Sequence, residues 1–161
     1  YEALSLHEGL TPAHEALADV LMRQGEYQAA WEEAGKVLGE EPGSVNMLRL
    51  RYDAARGMGD PARMQEATQA LLEVDARESA PLVKKHAENY FDNGKVKAAK
   101  ALLIPLNATG QAPAHAHFVL GLAHLNTGEM AAATEQLKRF VDKAPDHPDA
   151  KTARSLIEAQ Q

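Results

Sequence analysis

Glycine recurs in this chain at an almost constant interval: Gly25, Gly59, Gly94 and Gly128 lie 34, 35 and 34 residues apart. Self-similarity at that period marks an array of short supersecondary units. Such a unit cannot bury its own apolar face, so it is stable only when stacked on others. The positions after each glycine keep the register. Tyr27, Pro61, Val96 or Met130 stands two residues on, and Ala30, Met64, Ala99 or Ala133 five residues on.

Placing each repeat's start fourteen residues ahead of its glycine gives repeats over 11–44, 45–79, 80–113 and 114–147, beginning at Thr11, Val45, Ala80 and Ala114. Each reads as two helices with the glycine in the turn between them. In the first repeat Leu17 and Leu21 are the expected inner stripe of the first helix, Tyr27 and Ala30 open the second, and Pro42 closes the unit. The fourth reads Leu120, Gly121, Gly128, Met130, Ala133, Leu137, Phe140 and Pro145. Glycine permits the positive φ a helix C-terminus often needs, and the acid after it (Glu26, Asp60, Glu129) suits the next N-terminus. Start signals at Thr11-Pro12, Ser79 before Pro81, and Asp146 before Pro148 combine a capping oxygen with proline. Pro105 falls inside the second helix of the third repeat and is expected to end or kink it.

These residues make the chain resemble the tetratricopeptide repeat family. The first repeat matches through Leu17, Gly25, Tyr27, Ala30 and Pro42, the fourth through Leu120, Gly121, Gly128, Ala133 and Pro145. The second departs, with Arg51 and Tyr52 in place of leucine and glycine, and Ala76 in place of the closing proline. The resemblance implies an all-α fold, a right-handed α-solenoid of antiparallel helix pairs forming one repeat domain over 1–161. Residues 1–10, with Ala3, Leu4 and Leu6, read as the end of a preceding repeat, so the chain is expected to begin in mid-repeat. Residues 148–161, with Ala150, Ala153, Leu156 and Ile157 at helical spacing, read as a capping helix.

Composition bounds the function. Over 161 residues the net charge is −6 and 45% of residues are hydrophobic, an ordinary soluble composition. The acidic balance argues against general affinity for nucleic acid. No apolar run approaches the ~18 residues of a membrane span. Cysteine is absent, so thiol chemistry and disulfides are excluded; cytoplasm and periplasm are both compatible. No phosphate loop or catalytic constellation is present, and Gly57-Met58-Gly59 lacks the rest of such a motif. His115, His117 and His124 do not have an established zinc spacing and are assigned to packing or surface roles. Neither enzyme activity, metal nor cofactor is expected.

The resemblance implies that first helices line a concave groove. Its residues on this chain are Glu15, Asp19, Met22 and Arg23, then Asn46, Arg49, Asp53 and Arg56, then Lys84, Glu88 and Phe91 with Lys85 beside them. The fourth repeat adds Phe118, Leu122 and Leu125, edged by His115 and Asn126. The groove is thus expected to run from acidic through basic to apolar, the last part either a ligand pocket or buried under the capping helix or a neighbouring chain. The expected function is a non-enzymatic interaction scaffold gripping a partner protein or peptide, acidic with an apolar anchor. The alternatives are self-assembly through the N-terminal edge, or the docking part of a larger enzyme. Glu15 and Asp19 stand where chaperone-tail-binding relatives carry lysine and asparagine, so that activity is not carried over. Trp31, Gly35 and Gly39 on the first repeat's second helix suggest either a close-approach track or a tolerated weak helix.

Overall fold

A computed structural model describes residues 2–160, with side chains from Leu10 onward. The described residues form eight helices and no strand: α1 Glu2–Gln24, α2 Tyr27–Glu40, α3 Val45–Met58, α4 Pro61–Asp92, α5 Val96–Ala108, α6 Ala114–Asn126, α7 Met130–Lys143 and α8 Ala150–Glu158. None of them is long and apolar enough to cross a membrane. The expected apolar edge at Ala3, Leu4 and Leu6 lies outside the described side chains.

The periodic glycines do what their spacing requires. All four adopt a left-handed φ, between 66° and 78°. At Gly25 the amide donates to Met22 O (3.1 Å) and the next amide, of Glu26, to Leu21 O (2.9 Å). Gly94 and Gly128 repeat that pair of bonds, which satisfies carbonyls the helix end would otherwise orphan. Gly59 differs, its amide shared between Ala55 O and Arg56 O. After it, Asp60 Oδ1 accepts from the amides of Ala62 and Arg63, with Pro61 as the first helical residue. Glu26 and Glu129 make no such cap.

Two start signals are overridden. Helix α1 runs through Thr11-Pro12 and α4 runs through Ser79 and Pro81. In α4 the helical backbone is interrupted instead at Asp75 (φ −135°, ψ 46°). Nor does Pro105 end its helix. It is buried, and α5 continues through it to Ala108.

The chain divides at the same place into two compact bodies, Tyr1–Asp75 and Ala76–Gln161. In the N-terminal body α1 packs on α2 and α3, and α2 on α3. Its core joins Ala18, Ala30, Ala34, Val37, Met47 and Leu50. Alanine at the contact points brings the helices close, so little apolar volume is needed to fill the space between them. Leu17 does not join this core. It is 44% exposed, and Leu21 and Met22 take the inward positions. Trp31 is buried, with the Arg51 guanidinium 3.7 Å above its ring.

In the C-terminal body α5 packs on α6, α6 on α7 and α7 on α8. Its outer cluster sets Phe118, Leu137 and Phe140 against Ala150 and Ala153 of α8. Gly121 makes close packing possible: an added Cβ would sit 2.8 Å from Leu137 Cδ2. Gly57 plays the same part under the Tyr27 ring at 2.7 Å, a role its sequence context does not announce.

Gly35 and Gly39 have nothing within 4 Å of an added Cβ, so no helix among the described residues packs against them. Gly35→Ala and Gly39→Ala are expected to stabilise the chain by up to about 1 kcal/mol each, whereas Gly121→Ala should destabilise it. Chemical denaturation of the three variants checks both signs.

Candidate functional site

The expected groove residues of the first two repeats converge on one concavity. On α1, Glu15, Asp19 and Met22 lie at i, i+4 and i+7, which places them on one helix face. Across from them α3 presents Asn46, Arg49 and Asp53, with Met47 and Leu50 beneath. Together they line a pocket of about 370 Å³. Met47 and Leu50 are buried members of the core, so the pocket's apolar lining is continuous with the interior. Arg23 lies exposed on α1 and is not part of the lining.

The two α3 arginines at this site are already engaged. Arg49 Nη2 donates to Asp75 Oδ2 at 2.8 Å, from the position where the α4 backbone breaks. Arg56 Nη1 donates to Asp53 Oδ1 at 3.0 Å. Among the described residues Glu15 and Asp19 have no ion-pair partner, and both face the pocket. The rim therefore carries net negative charge, with Arg49 and Asp53 each opposite a neighbour.

In the C-terminal body the expected site residues separate into two groups. Lys84 Nζ lies 2.6 Å from Glu88 Oε1, and His115 Nδ1 donates to the same oxygen at 3.0 Å. Burial of Glu88 works against its charge, but the bonds from Lys84 and His115 prevail and hold its carboxyl below the usual range. Lys85 is exposed and Phe91 half-buried. Phe118, Leu122 and Leu125 belong to the second group. Phe118 is only 8% exposed, its ring 5.0 Å from that of Phe140, and Leu122 and Leu125 pack into the same cluster with Leu156 and Ile157 of α8. Phe118 is thus buried in a cluster that includes Ala150 and Ala153 of α8, while Leu122 and Leu125 stay half-buried beside it.

The three histidines of α6 turn to different partners. His115 stacks near Phe118 and His147 and binds Glu88. His124 donates to Glu129 Oε2 at 2.6 Å. His117 is buried and donates from Nδ1 to Gln136 Oε1 at 2.8 Å, an oxygen that also accepts from Asn107. Its Nε2 has no hydrogen-bond partner among the described residues, and burial pushes its pKa down. The sequence placed His117 on a packing face but carried no sign of Asn107 and Gln136 as its neighbours.

Glu129 spans from the turn after α6 to Lys100 on α5. The Lys100 bond and that from His124 hold its pKa down to about 2.

The described residues form paired helices around glycine turns, a helical-repeat architecture. Residues 84–148 match the family described as Tetratricopeptide repeat, which supports the resemblance read from the glycine register, and the described residues are all helical. Repeats of this type are generally non-enzymatic. No curated protein sequence gives a significant match. Among solved structures, the MamA protein is similar at 21% identity, with 94% of this chain and 86% of that one covered and a TM-score of 0.48. PilF of Pseudomonas aeruginosa is similar at 16% identity, 96% and 78% coverage and a TM-score of 0.44. A thermophilic TPR protein of Thermus thermophilus has 19% identity, 92% and 81% coverage and a TM-score of 0.43.

Two pH effects of opposite charge type follow in the C-terminal body. Glu129 has a depressed folded pKa, so its contribution is present above the ordinary glutamate value and is lost as pH falls toward about 2. His117 is a base with a depressed folded pKa. The unfolded chain takes up its proton first, so stability falls as pH drops below ~6.5. Thermal denaturation from about pH 8 to about pH 3 should show a loss on each descent. His117→Gln should remove the one nearer neutrality, and Glu129→Gln the acid one.

Proposed function

We propose that this chain is a non-enzymatic scaffold whose N-terminal body holds a segment of a partner protein in the pocket between α1 and α3. One observation carries the reading: Glu15 and Asp19 of α1 and Asn46 and Asp53 of α3, assigned to a groove from sequence, line a single concavity with an apolar base. A pocket lined by methionine and leucine supplies desolvation energy, and a polar rim fixes orientation. Methionine adds adaptability to the shape of the guest. An extended peptide or one face of a short helix suits a cleft formed by two neighbouring helices.

The test fills the pocket. Asn46 is exposed at the rim, so Asn46→Trp adds bulk without entering the core. Random peptides selected by display on the parent chain are expected to lose roughly ten-fold or more in affinity on this variant. Selected peptides that bind parent and variant equally would remove the pocket from consideration.

A second observation supports self-association through the N-terminal edge as a further reading. Leu10, Leu17 and Val20 are 50%, 44% and 46% exposed, and their spacing places them on one face of α1. Three large apolar side chains in a row are the kind of patch that marks an interface. The double variant Leu17→Glu/Val20→Glu should then shift a concentration-dependent sedimentation profile to that of a monomer. A parent that sediments as a monomer at every concentration refutes the reading.

A further inference from the structure

The charge arrangement around the pocket identifies the kind of side chain it accepts. An acidic guest needs free cations, yet both α3 arginines of the site face a carboxylate, Arg49 facing Asp75 and Arg56 facing Asp53, and the exposed Arg23 of α1 lies outside the lining. Recruiting Arg49 to a guest carboxylate would break its 2.8 Å bond to Asp75, whose side chain is only 16% exposed. Glu15 and Asp19 are in the opposite situation. They face the pocket with no cation paired to them among the described residues, directly above Met22, Met47 and Leu50.

We propose that the pocket receives a lysine or arginine side chain of the partner peptide. The aliphatic stem lies along Met22, Met47 and Leu50, and the cationic head reaches Glu15 and Asp19. This rests on the reading of the pocket as the partner site and reverses the charge of the guest expected from sequence. Long basic side chains combine these two needs, since their methylene stems bury against apolar surface while the charged end stays at a polar rim. Volume agrees. At about 370 Å³ the pocket is at the small end of ligand clefts (~300–1,000 Å³), suited to one long side chain with its adjoining backbone. Asn46, at the N-terminal end of α3, is placed to bond the guest's backbone. The carboxylates at the mouth also favour encounter with a basic segment, an effect that salt weakens.

The experiment uses fluorescently labelled, end-capped peptides identical except for a central Lys, Arg, Glu or norleucine between leucines, titrated by anisotropy against the whole chain. Variants are first checked by circular dichroism and thermal denaturation; Asp19 is exposed and Glu15 half-buried, and Gln and Asn keep their side-chain size. The Lys or Arg peptide is expected to bind roughly ten-fold or more tighter than the Glu and norleucine peptides. That preference should collapse in Glu15→Gln/Asp19→Asn and when salt is raised from ~50 to ~500 mM. Asn46→Trp should abolish binding of the basic peptide, and Asp142→Asn, exposed on α7, should leave the preference intact. If the Glu or norleucine peptide binds as well as the basic ones and Asn46→Trp still blocks it, the basic-guest inference is overturned while the pocket reading stands. If Asp142→Asn erodes the preference as much as the double variant, the effect is the net charge of the chain and the inference fails. If no peptide shows binding that Asn46→Trp removes, both fall.

Discussion

Each reversal of the chain between paired helices depends on one backbone conformation, the left-handed φ at Gly25, Gly59, Gly94 and Gly128. A side chain in that conformation would meet the following carbonyl, and glycine avoids the conflict. At three of the four turns the glycine amide and the next amide both bond back into the helix they terminate, so the turn closes without orphaned carbonyls. The hairpins then set the rest. They bring Ala30 and Ala34 against Ala18, and Ala133 against the α6 surface at Gly121, at a separation that larger residues would prevent. Packing here depends on small residues, and that is why a chain with few aromatics builds a core.

Charge is distributed by the same geometry. Arg49, Arg56, Lys84 and Lys100 each face a carboxylate. Exposed pairs of this kind add little stability. Their consequence is on recognition, since they take basic groups out of circulation and leave Glu15 and Asp19, among the described residues, as the unanswered charges at the α1–α3 pocket. The contrast with the C-terminal body is chemical. There Phe118 of α6 is buried in a cluster with Phe140 and Ala150, and the polar residues beside it, Glu88, His115 and Asp149, are drawn into contacts with one another.

The sequence by itself determined the period, the turn positions and the helix pairs, because left-handed φ, capping and helical spacing are properties of a few consecutive residues. The resemblance to the tetratricopeptide repeat pattern also marked Glu15, Asp19, Asn46, Arg49 and Asp53 as groove positions along first helices. Local start signals did not always set a helix boundary. Thr11-Pro12 and Ser79 read as starts, yet helix α1 and helix α4 run on through both. The tertiary structure alone decided which of these side chains are available to a partner. Arg49 is engaged by Asp75 twenty-six residues away, and Phe118 is buried in a cluster that includes Ala150 and Ala153. Leu17, expected inside, is left exposed because Leu21 and Met22 fill the inward positions of α1. Availability depends on what arrives from elsewhere in the chain, and no periodicity within one helix encodes that.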